Sequence, residues 1–212
     1  MTELKPTVFV VDDDQAVRAA LSLLIKSAGL QVKTFGSAQA FLRAYDPAHP
    51  GCLILDVRMR GMGGMELQEK LAAQGIAIPV IIITGHGDVP MAVRAVKRGA
   101  IDFIQKPFDD QVLLDRITQA VELNTQRRRQ EAEQAEATAK LARLSPRERE
   151  VMDLLVAGKG NKEIALALGL SRKTVDIHRS HVMLKLGVDS IADLVRLGLV
   201  QEAHRGPISP EV

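Results

Sequence analysis

The sequence is poor in aromatic residues, with no Trp, a single Tyr and five Phe among 212 residues. That scarcity argues against the aromatic platforms on which proteins stack single-stranded bases. The only cysteine is Cys52, which excludes an internal disulfide and a thiolate zinc site and fits a reducing compartment. Inside the apolar run Cys52-Leu53-Ile54-Leu55 it is expected to act as a small core hydrophobe. No apolar run approaches the about 18 residues that a membrane span needs, and the N-terminus has no apolar leader segment. A cytoplasmic protein with no membrane partner is therefore expected. Charge is nearly balanced, with 28 Lys and Arg against 26 Asp and Glu, so any nucleic-acid footprint has to come from local clustering.

What is present begins with short apolar runs. Thr7 to Val11, Gln31 to Phe35, the run ending at Asp56, Pro79 to Ile83 and Ile101 to Ile104 read as strands. Each is followed by a stretch with helical spacing, such as Val17, Leu21, Leu24 and Ile25 before Gly29. Five strands alternating with five helices predict a doubly wound α/β fold, a parallel sheet covered on both faces. Ligands of such sheets sit outside the carboxyl ends of the strands. Those ends carry Asp12 and Asp13, Asp56, Thr84 and Lys106.

Asp56 is read as a phosphate acceptor. Close carboxylates repel one another and need a cation, and oxygen ligands with room for water favour Mg²⁺. Lys106 supplies a point charge for a phosphoryl group, and Thr84 a hydroxyl for one of its oxygens. His86 is read as a loop histidine, because no neighbouring nucleophile needs a base.

Val11-Asp12-Asp13, Asp56, Thr84-Gly85, Phe103 and Lys106-Pro107 together make residues 1–123 resemble a response-regulator receiver domain. The run from Thr84 to Ala92 is similar to the FixJ and StyR type. The resemblance implies a flavodoxin-like sheet of order 2-1-3-4-5 and an aspartyl-phosphate at Asp56. It also implies Mg²⁺ (or Mn²⁺) held by Asp12, Asp13, Asp56 and the Arg58 carbonyl, and a cis Lys106-Pro107 bond. Phe103 would turn inward once Thr84 is drawn to the phosphate. One departure is Arg60, where the family usually has proline; it removes no ligand but puts the loop's rigidity in question.

Residues 124–143 contain neither Gly nor Pro and read as a helical linker, with Arg127-Arg128-Arg129 on a solvated face. Residues 144–204 then show four short helices. Ser145, Pro146 and Glu148 form a capping box with proline in the first turn. A helix-turn-helix spans about Asn161 to Ser180, its turn made by Gly169-Leu170-Ser171. On its second helix Val175, His178, Val182 and Leu186 form an inward stripe. Lys173, Asp176, Ile177 and Ser180 form another face. Asp176 and Ile177 are placed at base edges. Lys173, Thr174, Arg179 and Lys185 are placed on phosphates. Leu144 to Glu148, Asn161 to Ala165, Thr174 to Arg179 and Lys185-Leu186 make this half similar to the LuxR-type DNA-binding domain, an all-α unit. Residues 205–212 read as a disordered tail.

The two resemblances together imply a two-component response regulator. A sensor histidine kinase would phosphorylate Asp56, homodimers would bind double-stranded promoter DNA, and RNA polymerase would be a further partner. No turnover of an outside substrate is expected. The sequence leaves two rival readings. One is a Mg²⁺-dependent phosphohydrolase with Asp56 as nucleophile, disfavoured because Arg58 stands two residues later where a second acid is needed. The other is a DNA-binding dimer that works unphosphorylated.

Overall fold

In a computed structural model of the protein, residues 5–85 and 89–202 are described, with the backbone alone for 198–202. His86 and the tail 205–212 lie outside the described residues. Five strands, β1 (Thr7–Val11), β2 (Gln31–Phe35), β3 (Gly51–Asp56), β4 (Val80–Thr84) and β5 (Ala100–Gln105), alternate with α1 (Gln15–Ser27), α2 (Ala38–Ala44), α3 (Gly64–Ala73), α4 (Val89–Lys97) and α5 (Asp110–Leu141). All strand pairs are parallel, in the order β2-β1-β3-β4-β5. The register sets Val11 beside Leu55 and Asp56 beside Ile83.

The apolar runs are continuous because both sheet faces are covered. Phe9, Val11, Leu53, Leu55 and Ile82 pack with Phe41 of α2, Leu67 and Leu71 of α3 and Ala95 of α4. The alternate residues Val8, Val10, Ile54, Ile81 and Ile83 pack with Leu21 and Ile25 of α1 and Leu113 and Ile117 of α5. Cys52 lies in this second layer, and burial pushes its thiol pKa up to about 12, so it is an unreactive core residue. Strand β2 is an edge, and its exposed Gln31, Lys33 and Thr34 keep that edge polar.

The chain divides into two compact units between Arg129 and Gln130, a position inside α5. The first unit thus runs past the boundary at 123 that the sequence led us to expect. Three residues assigned to the linker explain why. Asn124 is buried, and its Oδ1 accepts from the amide of Gly51 at 3.1 Å. Arg127 donates to the Ala77 carbonyl. Arg128 Nη1 donates to the Pro47 carbonyl at 2.8 Å, and its other terminal nitrogen to that of Ala48. The basic run is therefore no solvated face: two of its three arginines fasten α5 to loops of the first unit.

The second unit contains α6 (Pro146–Val156), α7 (Asn161–Leu168), α8 (Arg172–Leu186) and α9 (Ile191–Glu202). Its core is built from Leu144, Val151, Met152, Leu155, Ile164, Val175, Val182, Leu186 and Leu194. Ser145 and Glu148 form the expected reciprocal cap, with Ser145 Oγ accepting from Glu148 N at 3.3 Å and Glu148 Oε2 from Ser145 N at 2.8 Å. Gly169 ends α7 at φ 65°, a left-handed conformation that costs a residue with a Cβ about 1 kcal/mol or more. Among the described residues no helix is long and apolar enough to cross a membrane.

Glu148 has a role beyond its cap. Its buried carboxylate also receives Lys185 Nζ at 2.6 Å and lies 3.6 Å from His181 Nδ1. Lys185 first, then the Ser145 amide, lower its pKa to about 2. A depressed carboxylate contributes stability above its unfolded pKa and loses it as pH falls through the folded value, here between about pH 4.5 and 2. On the order of 2 to 3 kcal/mol is at stake. Melting curves taken from pH 6 down to pH 2.5 are expected to show the second unit weakening in this window. Glu148→Gln should flatten that acid dependence; an unchanged acid profile in the variant would count against the assignment.

Candidate functional site

Because all five strands are parallel, their carboxyl ends share one edge of the sheet. Asp12 follows β1, Asp56 ends β3, Thr84 ends β4 and Lys106 follows β5. Lys106 Nζ bridges the two buried carboxylates, donating to Asp12 Oδ2 at 2.8 Å and to Asp56 Oδ1 at 2.9 Å. The second oxygen of Asp56 accepts from the amide of Arg58 at 2.7 Å, and Asp12 Oδ1 from that of Asp14 at 2.8 Å. Thr84 is buried, and its carbonyl accepts from the Lys106 amide at 2.8 Å. The Lys106–Pro107 bond is cis. Phe103 is half-buried against the α2–α4 layer.

The three successive carboxylates after β1 have three different tasks. Asp14 caps α1, its Oδ1 accepting from Ala16 N at 2.7 Å and Val17 N at 3.4 Å. Asp12 faces Lys106. Asp13 turns to the loop after β3, where its Oδ2 accepts from the Arg60 amide at 3.0 Å and lies 3.5 Å from Arg60 Nε. Arg18 of α1, which the sequence reading did not single out, donates from Nη1 to the Asp12 carbonyl at 2.7 Å. Nothing but a nonlocal contact would have identified it.

Burial raises the pKa of Asp56, and the bond from Lys106 only partly offsets that. For Lys106 burial alone acts to lower the pKa, but its bonds to Asp12 and Asp56 together outweigh it and the net shift is upward. One lysine thus holds two carboxylates and leaves the pair with excess negative charge, with Asp13 adding more. Of the carboxylates expected around a metal ion, the structure brings Asp12 and Asp56 together on Lys106 and holds Asp13 on the loop. Among the described residues no three Asp, Glu, His or Cys side chains are gathered as a ready-made metal cluster. The donors are nonetheless all hard oxygens with uncompensated charge, which suits Mg²⁺ and disfavours zinc or copper. Chemically, a carboxylate beside a fixed ammonium can act as a nucleophile toward phosphorus, with the ammonium placed to balance the oxygens that arrive.

In the second unit, α7, the Gly169–Ser171 turn and α8 form the expected helix-turn-helix. Ser171 caps α8, its Oγ accepting from Thr174 N at 3.1 Å. Val175, Val182 and Leu186 are buried, as is the ring Nδ1 of His178. Lys173, Asp176, Ile177 and Ser180 are exposed on one face, while Thr174 and Arg179 are half-buried. The apolar Ile177 is 48% exposed, available to meet a ligand. Asn161, the first residue of α7, donates to Asp176 and accepts from Arg179 Nη1 at 3.4 Å. It orders the polar face, a role missed in the sequence because its partners lie on another helix. Lys185, placed on phosphates from the sequence, has its ammonium on Glu148 Oε2 at 2.6 Å while 39% of its side chain stays exposed, a structural contact that the sequence reading did not anticipate.

The residue pattern of the response regulator receiver domain matches residues 8–118. That of the luxR family of bacterial regulatory proteins matches residues 142–197. Nodulation protein W of Bradyrhizobium diazoefficiens is 48% identical over 193 residues, covering 91% of this chain and 85% of that protein. The transcriptional regulatory protein FixJ of Azorhizobium caulinodans is 46% identical over 193 residues, covering 91% and 92%. The solved structure of the response regulator StyR is similar at a TM-score of 0.86 and 49% identity, covering 92% of this chain and 98% of that one.

Proposed function

The chain belongs to the response regulators that join a receiver domain to a LuxR-type DNA-binding domain, and from that premise we propose that Asp56 is the residue through which a sensor histidine kinase controls it. The observation that carries this reading is the Asp56–Lys106–Asp12 bridge at the carboxyl edge of the sheet. An Asp56 oxygen attacks phosphorus as the bond from phosphorus to the donor's histidine nitrogen breaks, and the proton needed by the leaving imidazole comes from solvent. Lys106 then pairs with a phosphoryl oxygen in place of the Asp56 oxygen it now holds. The Thr84 hydroxyl donates to another phosphoryl oxygen, and Phe103 turns into the space that Thr84 leaves.

Receiver domains generally bind Mg²⁺ at this acidic pocket. Asp12, Asp13, Asp56 and the Arg58 carbonyl would hold the ion here, Mn²⁺ being an alternative, and its charge would neutralise the phosphoryl oxygens. Phosphorylated receivers pair, and the homodimer sets two α8 helices into successive major grooves about 34 Å apart on promoter DNA. Asp176 and Ile177 meet base edges, Lys173, Thr174 and Arg179 meet phosphates, and Ser180 extends the same face. RNA polymerase is the partner that reads the bound dimer.

The test is solution mass by light scattering, with and without acetyl phosphate and MgCl₂. The mass is expected to double on addition of both. Converting a mostly inactive population to a mostly active one takes about 5 kcal/mol of differential stabilisation, which phosphate contacts and dimerisation supply together. A mass unchanged by the donor would favour a dimer that works unphosphorylated, or none at all.

A further inference from the structure

Arg60 makes two contacts with Asp13: its amide donates to Oδ2 at 3.0 Å, and its Nε lies 3.5 Å from the same oxygen. A proline at this position could make neither, because it has no N–H and no charge. Asp13 receives these contacts from a loop whose other amide, that of Arg58, holds Asp56. The β3–α3 loop therefore grips two of the pocket's carboxylates, one through a residue that carries a positive charge. We propose that Arg60 is a positioning residue: by tying Asp13 to the β3–α3 loop it lowers the affinity of the acidic pocket for divalent cations and so sets the cation level at which the receiver becomes competent. This inference rests on the reading of the pocket as a Mg²⁺-assisted phosphoacceptor site.

Two physical effects act in the same direction. The guanidinium offsets part of the negative charge that attracts the ion. The amide bond stabilises the Asp13 carboxylate where it is, making it a weaker donor to a metal. The Arg60 side chain is 94% exposed, so the charge effect is solvent-screened, modest and sensitive to ionic strength.

The experiment is Mn²⁺ titration of the full chain, followed by the loss of the free-ion electron paramagnetic resonance signal, with Mg²⁺ as competitor. Arg60→Ala is expected to bind about threefold more tightly at low salt, with the difference shrinking at high salt. Arg60→Lys keeps the charge and should stay near wild type. Arg60→Pro, which loses both contacts, should tighten binding further, by about tenfold. In an Asp13→Asn background most of the gain from Arg60→Ala should vanish, because its target is gone. Failure to bind Mn²⁺ in the wild type would overturn the pocket reading itself. Wild-type binding with no tightening in Arg60→Ala, or equal tightening with and without Asp13, would overturn only the role of Arg60.

Discussion

Asp56→Asn is expected to take up less than about a hundredth of the wild-type label from radiolabelled acetyl phosphate with Mg²⁺, because a neutral amide is no nucleophile toward phosphorus. The same variant should remain folded. Its amide oxygen can still accept from Lys106, which keeps Asp12 as its other partner at 2.8 Å. The sign of the pKa shift makes the stability prediction sharper. Burial raises the Asp56 pKa in the folded state, so its ionisation weakens the fold as pH rises through that value. Removing the charge should leave the melting temperature at pH 7 unchanged or higher. Label uptake at the wild-type level would sink the assignment. A lower melting temperature would mean that the ionised carboxylate is a net stabiliser, against the direction of its shift.

Gly64→Ala is expected to cost more than about 3 kcal/mol and to depress phosphoryl uptake with it. Gly64 opens α3, and a Cβ there would lie 2.2 Å from the carbonyl oxygen of Asp56 and 3.1 Å from Leu55 Cγ. The first clash is with backbone, which has no rotamer to escape into, so α3 must move away or the end of β3 must bend and carry Asp56 with it. Gly36→Ala is a fair control within the same unit, since its Cβ would meet the Arg18 guanidinium at an ordinary 3.5 Å. Denaturant unfolding of the two variants should separate them clearly. If Gly64→Ala unfolds at the wild-type midpoint, α3 does not approach Asp56 as closely as described.

The carboxyl edge of the sheet was legible in the sequence because each of its side chains terminates an apolar run, and parallel strands place all their carboxyl ends together. Asp12, Asp56, Thr84 and Lys106 follow from that topology. Helix limits were legible where capping chemistry marks them, as at Ser145 and Glu148, or where glycine closes a turn, as at Gly169. What escaped is what single side chains do across long separations. Asn124 looks like any polar residue in a helical spacer, yet it is buried against Gly51, 73 residues away. Lys185 reads as a basic residue on a DNA-binding helix, and the structure sets it on Glu148, 37 residues earlier. The departure at Arg60 was visible as a missing proline. The contact its amide gains was not, because the acceptor Asp13 belongs to another strand end.

The lysine bridge at the carboxyl edge also bears on how the receiver meets a changing environment. Zinc fingers collapse under chelators because the energy of binding their ion is the energy of folding. This pocket carries an internal counter-ion in Lys106, joined to both buried carboxylates by the chain itself. Folding therefore does not wait on a bound cation, although an ion held by the folded pocket would add to its stability. Chelation of divalent cations is thus expected to lower the melting temperature modestly without unfolding the protein.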